Sequence, residues 1–356
     1  MEMDGDHVAV RATLNGREMR LVLDTGASHV LLSPEAAKSA GIRKGAKLKF
    51  SAFGDGRGSA WRGVCDSVEV GPAVAKTVPV AIMPIPSPLQ GDGLLGLSFL
   101  EQFTFGLDHE QKRIWFAPRG NTNLVAGASS VPLQETAPIL VVDAEVDGIP
   151  ARLIVDTGGG QSLVLQSWFV EKHQLRERYP KRLDTITGIG LLGRMHAEIV
   201  RLRTLRLGDY TVTNVFAEFE PDAKSLSGPF AGVVGAPFLR RFNLTFDVAG
   251  RQLWIEPNSH YAMASLPPTS VRSGLVCLPE GADWIVQDLI ADSPAAEAGV
   301  RRGDRLMAIN EVPLHSLQPW EIKRAFQAAP GTRVRLRLQT GGEAHREVTL
   351  ILRDLL

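Results

Sequence analysis

The sequence predicts a mainly β protein built from two duplicated β lobes and a small α+β domain that follows them. Three observations support this fold class: short β-branched apolar runs, a long internal repeat, and a different pattern of helix and strand signals after residue 274. The chain has 356 residues, which is enough for two or three domains. Its 35 Gly and 22 Pro separate the apolar runs, as turns separate strands.

The internal repeat joins two matched segments in each copy. Residues 12–26 (ATLNGREMRLVLDTG) align without a gap with residues 144–158 (AEVDGIPARLIVDTG). In both copies an Asn-Gly or Asp-Gly pair, typical of a hairpin turn, precedes an apolar strand that leads into Asp-Thr-Gly. Farther along, residues 94–100 (LLGLSFL) match residues 233–239 (VVGAPFL). The repeat indicates a duplicated lobe, because solenoid repeats have much shorter periods of about 20–50 residues.

The repeat and a change in composition divide the chain into three units. The first lobe is predicted over residues 1–127 and the second over residues 128–262. A Pro-, Ser- and Ala-rich stretch indicates a linker at residues 263–273. Residues 274–356 then form the small domain, with short helices and strands that alternate between apolar and polar residues.

Composition and charge exclude several classes of function. Lys and Arg total 39 and Asp and Glu total 39, and this zero balance argues against nucleic-acid binding and against electrostatic membrane binding. No apolar run reaches the roughly 20 residues of a membrane span. The two cysteines, Cys65 and Cys277, imply neither a disulfide framework nor a zinc site built on Cys pairs. We therefore expect no metal, no cofactor and no nucleic-acid partner.

The repeated Asp-Thr-Gly motif places one carboxylate in each lobe, Asp24 and Asp156. Two carboxylates about 3 Å apart cannot both ionise, so one of them holds a proton near neutral pH. The ionised one can take a proton from water while the protonated one hydrogen-bonds a carbonyl. The Gly of each motif permits a sharp turn whose N–H approaches the carboxylate, and the Thr can hydrogen-bond across the interface between lobes.

These motifs resemble those of the aspartic proteases, specifically the retropepsin-like kind joined into one two-lobed chain. The resemblance is carried by residues 21–28 (LVLDTGAS) with 94–96 (LLG), and by residues 153–158 (LIVDTG) with 233–235 (VVG). It covers about residues 5–258. It implies an endopeptidase that cleaves an extended segment of a protein substrate through a water molecule activated by the two aspartates.

The resemblance also assigns roles to the motif residues. It implies Asp24 and Asp156 as the catalytic dyad, and the residues beside them as its support: Thr25, Gly26, Thr157 and Gly158. The sequence departs from the family after Gly158, where Gly159 and Gly160 replace the usual Ala or Ser. Two consecutive glycines predict a more flexible loop that holds Asp156 less firmly.

Two Gly-rich segments resemble the flap hairpins that close over an extended substrate. Their residues are Gly54, Asp55 and Gly56 in the first lobe, and Gly188, Ile189 and Gly190 in the second. No tyrosine lies between Lys44 and Cys65, where a pepsin-type flap would carry one. The alternative interpretation is that both segments are ordinary surface turns.

Residues 292–310 (DSPAAEAGVRRGDRLMAIN) resemble a PDZ domain of the bacterial type, whose last strand comes from the C-terminus. By that resemblance the N–H groups of Leu275, Val276 and Cys277 would bind the terminal carboxylate of a peptide. The peptide would add as a strand beside them and against a helix at residues 320–328. The alternative is a packing module without a free ligand.

Together these patterns predict an aspartic endopeptidase whose PDZ domain recruits or gates its protein substrate. Two alternatives remain open: a catalytically inactive protease-fold scaffold that binds peptides, and an enzyme held inactive by its PDZ domain or by a missing partner. By the same resemblance we expect the bacterial periplasm or envelope if a leader precedes this chain, and the cytoplasm otherwise.

Overall fold

The computed structural model describes residues 1–5, 7–48, 52–54, 58–86, 91–122, 128–136, 139–221, 228–341 and 345–356. The strands of the first lobe are β1 (Glu2–Asp4), β2 (His7–Leu14), β3 (Arg17–Leu23), β4 (Val30–Leu32), β5 (Lys47–Leu48), β6 (Ala60–Val70), β7 (Ala73–Ile82), β8 (Gly93–Leu95), β9 (Phe103–Asp108) and β10 (Arg113–Pro118). Its helices are α1 (Pro34–Ser39) and α2 (Leu97–Leu100).

The strands of the second lobe are β11 (Ser129–Thr136), β12 (Ile139–Val146), β13 (Ile149–Asp156), β14 (Leu163–Leu165), β15 (Leu183–Gly190), β16 (Gly193–Leu207), β17 (Tyr210–Phe219), β18 (Gly232–Gly235), β19 (Phe242–Asp247) and β20 (Gln252–Pro257). Its helices are α3 (Ser167–Lys172), α4 (Leu175–Arg178) and α5 (Ala236–Leu239).

The C-terminal domain follows a short helix, α6 (Ser270–Ser273). Its strands are β21 (Leu275–Glu280), β22 (Asp283–Leu289), β23 (Arg305–Ile309), β24 (Val312–Pro313), β25 (Arg333–Gln339) and β26 (Arg346–Ile351). Its helices are α7 (Pro294–Glu297) and α8 (Pro319–Phe326), with a 3₁₀ turn at Leu314–Ser316 between them.

The two lobes repeat one topology, which confirms the predicted mainly β, duplicated fold. In the first lobe β3 pairs in parallel with β8, and β4 lies between β8 and β7. In the second lobe β13 pairs in parallel with β18, and β14 lies between β18 and β17. Strands β2 and β12 even share one alternation of buried and exposed residues, because both carry the same apolar pattern on the core side.

The repeated hairpin turns explain why each Asp-Thr-Gly loop follows a tight β-hairpin. Asn15 and Gly16 have φ angles of 47° and 80°, and Asp147 and Gly148 have φ angles of 50° and 75°. Positive φ at both central residues is the requirement of a type I′ turn, which Asn-Gly and Asp-Gly satisfy at low cost.

The lobes are joined at their base by a shared sheet. Strand β9 of the first lobe pairs antiparallel with β19 of the second, in the order β10-β9-β19-β20-β11. The rings of Phe105 and Phe246 stack across this joint with centroids 4.7 Å apart. Residues 123–127, where the boundary between lobes is predicted, lie outside the described residues. The lobes therefore share one hydrophobic core rather than two separate ones.

The C-terminal domain has its own sheet, in the order β21-β22-β23-β25-β26, and its own core. Helix α7 begins with residues that typically start a helix: the Ser293 hydroxyl accepts the Ala296 N–H at 3.3 Å, and Pro294 occupies the first turn. Helix α6 lies inside the predicted 263–273 linker. Its residue Val271 is buried against the second lobe, so the end of the predicted linker packs on that lobe. Among the described helices, none is both long and apolar enough to cross a membrane.

Candidate active site

The two Asp-Thr-Gly loops meet at the floor of a cleft between the lobes. Asp24 follows β3 and Asp156 ends β13, so each aspartate lies where an apolar strand leaves the core. A Cβ atom built on Gly26 would lie 2.6 Å from the Asp156 Cγ atom, and one built on Gly158 would lie 2.5 Å from the Asp24 Cγ atom. Only glycine fits at either position, because the carboxyl group of the opposite lobe occupies that space.

Backbone N–H groups hold the two carboxylates. The Asp24 Oδ1 atom accepts hydrogen bonds from Gly26 at 2.8 Å and from Ala27 at 2.9 Å. The Asp156 Oδ1 atom accepts one from Gly158 at 2.9 Å. In both loops the Oδ1 atom of the carboxylate thus accepts the backbone N–H groups that follow it in the chain.

Gly159 has a steric role that the sequence pattern did not indicate. A Cβ atom there would lie 2.9 Å from the Asp156 Oδ2 atom, whereas one on Gly160 would lie 3.7 Å from the His7 ring. Gly159 therefore lies at a position where the loop passes close to the carboxylate. The weaker hold on Asp156 that the glycine pair suggests stays a prediction.

Burial of the dyad raises the pKa of both carboxyl groups. The charge of Asp156 raises the pKa of Asp24 further, and the pKa of Asp24 lies well above its ordinary value. The loop N–H groups act in the opposite direction, because they favour the ionised form. Because each group affects the pKa of the other, the two titrate as a unit.

The threonines of the two motifs interlock across the lobes. The Thr25 N–H donates to the Thr157 hydroxyl at 3.1 Å, and the Thr157 N–H donates to the Thr25 hydroxyl at 3.1 Å. Each hydroxyl in turn donates to a carbonyl of the other lobe: Thr25 to Val155 at 2.7 Å and Thr157 to Leu23 at 3.0 Å. Both threonines are buried, so this network holds the two loops in register.

The second repeated segment packs directly behind the loops. A Cβ atom on Gly96 would lie 2.1 Å from the carbonyl oxygen of His29, and one on Gly235 would lie 2.2 Å from that of Gln161. These glycines allow the strand behind each loop to approach its backbone closely.

The two Gly-rich segments touch each other over the cleft. The Leu192 N–H donates to the Phe53 carbonyl at 2.9 Å, and Gly54 and Gly190 lie against the same contact. Gly188 and Ile189 lie on β15 and line the cleft. Asp55 and Gly56 lie outside the described residues.

The cavity above the dyad has a volume of about 1380 Å³ and extends to the C-terminal domain. Its lining includes Asp24 and Asp156, and it also includes Leu275, Val276 and Cys277 of β21. The predicted peptide groove and the cleft are therefore parts of one cavity. The Leu275 N–H already donates to the Ser273 hydroxyl at 3.0 Å, so a peptide carboxylate would have to displace that bond to use it.

The C-terminal domain also contacts the β15–β16 hairpin of the second lobe, which is the predicted flap. The Thr185 hydroxyl on β15 donates to the Asp288 Oδ2 atom on β22 at 2.9 Å, and both residues are buried. Arg194 at the start of β16 lies 3.9 Å from the Glu280 carboxylate. Sequence reasoning missed this contact, because no local pattern indicates which strands of two domains meet.

Glu218 on β17 is a second feature of the cleft that sequence reasoning missed. Its side chain is buried, and the residue lines the cavity. A charged residue within the otherwise mostly apolar run of residues 215–219 (VFAEF) was the available signal.

A two-lobed β fold with paired, interlocked Asp-Thr-Gly loops defines the aspartic protease class. The sequence profile described as aspartyl protease matches residues 10–99 and 142–238, more than half of the chain. The protein belongs to the aspartyl protease family. The profile described as PDZ domain matches residues 285–340, so the C-terminal domain is a PDZ domain. No curated protein sequence matches the chain.

Proposed function

We propose that this protein is an aspartic endopeptidase that cleaves an extended segment of a protein substrate. One observation carries the proposal: the two Asp-Thr-Gly loops fit against each other so closely that each glycine faces the opposite carboxyl group. Such packing brings two carboxyl groups with raised pKa to the floor of one cleft. A buried pair of this kind can act as acid and base at once.

In the proposed mechanism the dyad holds one proton and one negative charge. The ionised carboxylate takes a proton from a water molecule, and the oxygen of that water attacks the peptide carbonyl carbon. The protonated carboxyl gives its proton to the carbonyl oxygen, and a tetrahedral diol forms. A carboxyl then protonates the amide nitrogen, the other carboxylate takes back a hydroxyl proton, and the C–N bond breaks. One water is consumed, and no covalent enzyme intermediate forms.

The flaps supply the substrate site in this proposal. Their contact between Phe53 and Leu192 covers the cleft, so a substrate has to enter beneath it in an extended form. A closed flap excludes water other than the attacking molecule, which strengthens the electrostatic interactions of the dyad.

The PDZ domain recruits or gates the substrate in this proposal. Two contacts support that role: its peptide groove opens into the cleft cavity, and its strand β22 bonds the flap strand β15 through Asp288 and Thr185. A peptide that adds to β21 would lie next to a strand that holds the flap.

Digestion of an unfolded protein mixture at pH 4, 5.5 and 7 tests the proposed activity. Wild type, Asp24→Asn, and wild type with a transition-state-mimic inhibitor of aspartic proteases are compared. Cleavage by untreated wild type alone would support the dyad mechanism. Binding of peptides without cleavage under any condition would instead support the inactive scaffold.

A second experiment separates gating from recruitment. Thr185→Val removes the hydroxyl bond to Asp288, while Thr213→Val changes an exposed threonine of the same lobe and serves as the control. Gating predicts a changed kcat for short peptides in Thr185→Val alone. An unchanged kcat for short peptides would contradict gating and leave recruitment.

A further inference from the structure

The walls of the cleft differ between the lobes at one equivalent position. In the first lobe β4 and β7 pair in parallel with Leu31 opposite Ala81. In the second lobe β14 and β17 pair in the same way with Val164 opposite Glu218. Glu218 therefore occupies the place that Ala81 has in the first lobe.

The backbone after each strand confirms this equivalence. The Met83 N–H donates to the Leu32 carbonyl at 3.1 Å, and the Glu220 N–H donates to the Leu165 carbonyl at 3.0 Å. Glu220, two residues after Glu218, thus occupies the place that Met83 has two residues after Ala81. The second lobe carries two glutamates where the first carries an alanine and a methionine.

An apolar cluster lies beside each of the two positions. The first-lobe wall contains a cluster of Val22, Leu31, Ala60, Met83 and Leu94. The second-lobe wall contains a cluster of Val141, Ile154, Val164, Phe230 and Val233. Among the described residues, the first-lobe wall therefore has apolar side chains at both positions, and Glu218 and Glu220 are carboxyl groups placed beside an apolar cluster.

Glu218 is a buried carboxyl group that faces a cavity. It is 6% exposed, and it lies among the residues that line the cleft. Burial raises the pKa of Glu218 to about 8, the nearby Thr187 side chain acts to lower it, and the charge of Glu220 raises it as well. At pH 7 the free protein therefore holds Glu218 mainly as the neutral acid.

A basic substrate side chain would change that balance. A group with a pKa near 8 is ionised in about one molecule in ten at pH 7. A charge-assisted bond to a cation is about twice as strong as a neutral one, and it gains further strength where water is excluded. Pairing can thus favour the ionised form and release the proton of Glu218.

We infer that Glu218 determines substrate specificity on the second-lobe side of the cleft by pairing with a lysine or arginine side chain, while the first-lobe wall accepts an apolar side chain. This inference rests on the proposed protease function, because it concerns the same cleft. The different walls would then select a cleavage site with a basic side chain on the second-lobe side and an apolar side chain on the first-lobe side.

Mapping of cleavage sites in an unfolded protein mixture provides the first test. Wild type is expected to prefer Lys or Arg at one fixed position from the cut by about tenfold, a reasonable size for one buried pair. Glu218→Gln and Glu218→Ala are expected to lose that preference and still cut at apolar sites. Glu218→Ala introduces the residue that the first lobe has at the equivalent position, Ala81. It serves as the second variant if Glu218→Gln does not fold. Glu145→Gln removes a carboxyl that pairs with Arg206 away from the cavity, and it should keep the preference.

Peptide binding to Asp24→Asn provides the second test, because it requires no turnover. The probes are eight-residue peptides in which lysine replaces norleucine at each position in turn. Calorimetry at pH 6.5 in buffers of different ionisation enthalpy should show tighter binding of one lysine peptide with release of close to one proton. Adding Glu218→Gln should abolish both effects.

The outcomes separate the inference from the proposed function. Lysine-dependent binding without cleavage by wild type would overturn the protease function and support the role of Glu218. Dyad-dependent cleavage without a basic preference, or with one that Glu218→Gln and Glu218→Ala retain, would overturn the inference and support the protease. Absence of both cleavage and lysine-dependent binding would overturn both.

Discussion

The two lobes are nearly the same where they meet and different where they would face a substrate. At the dyad, Cβ atoms built on Gly26 and Gly158 would lie 2.6 Å and 2.5 Å from the Cγ atom of the opposite aspartate, and the threonine bonds are reciprocal. On the cleft walls, Ala81 in one lobe corresponds to Glu218 in the other. A dimer of identical lobes would carry the same residue on both walls. Joining two lobes in one chain therefore permits a symmetric dyad with an asymmetric cleft.

The dyad provides the largest test of the symmetric part. Asp24→Asn and Asp156→Asn should each lower kcat by about 10²–10⁴-fold, because either change removes one partner of the shared proton. The double variant should be little worse than either single one, since the residues act as a unit. Steady-state kinetics on a cleaved peptide measures this. Near-wild-type activity in one single variant would contradict equal roles for the lobes.

The loop after Asp156 gives a graded test within three residues. Gly158→Ala should lower kcat by about 100-fold, because its Cβ atom would lie 2.5 Å from the Asp24 Cγ atom and shift the dyad. Gly159→Ala should lower kcat less, because its Cβ atom would lie 2.9 Å from the Asp156 Oδ2 atom. Gly160→Ala, with 3.7 Å of space, is the control and should stay close to wild type. Equal effects at all three positions would show that flexibility rather than space matters.

The interlocked threonines test whether the symmetry extends to stability. Thr25→Val and Thr157→Val should each lower the free energy of unfolding by about 1–3 kcal/mol for each buried group left without a partner. The two losses should be similar, because the bonds are reciprocal. Urea denaturation followed by fluorescence measures them, with exposed Thr213→Val as the control. A clearly larger loss of stability in one of the two variants would show that the threonine of that lobe contributes more to holding the loops together.

The asymmetric wall gives a test of pH dependence. The pKa of Glu218 is raised in the folded protein from an ordinary value of 4.5 to about 8. A raised acid pKa means that the folded chain binds the proton more tightly, so stability falls as the pH rises through this range. Glu218→Gln stays neutral, so its Tm should exceed that of wild type more at pH 8.5 than at pH 5.

A glutamate with the opposite shift serves as the control for this pH test. Burial acts against ionisation of Glu198, but hydrogen bonds from Arg176 and Arg182 lower its pKa overall. Glu198→Gln should therefore be less stable than wild type at pH 8.5, and this deficit should shrink as the pH falls below 4.5. A similar change in both variants would contradict the assignment of the pH effect to Glu218.

Local patterns predicted much of the fold. The Asn-Gly and Asp-Gly turns fix the hairpins, and the apolar strands after them lead into Asp24 and Asp156. The helix signals at Ser293 and Pro294 also act within a few residues. Such signals are readable because both partners of each interaction lie close together in the chain.

The cleft walls and the contact with the PDZ domain were not predictable in this way. The equivalence of Ala81 and Glu218 depends on strand register, since the repeat has no clear match in that part of the sequence. The bond between Thr185 and Asp288 joins residues more than one hundred positions apart. No periodicity or turn signal encodes either pairing.

The sequence by itself therefore determined the duplicated lobes, the two aspartates and the glycines beside them, because these are local and repeated. Only the tertiary structure decided that Gly159 lies against a carboxylate, that strands β9 and β19 join the lobes, and that the PDZ groove opens into the cleft. These features depend on packing between distant segments, which forms when the apolar faces of both lobes are buried together.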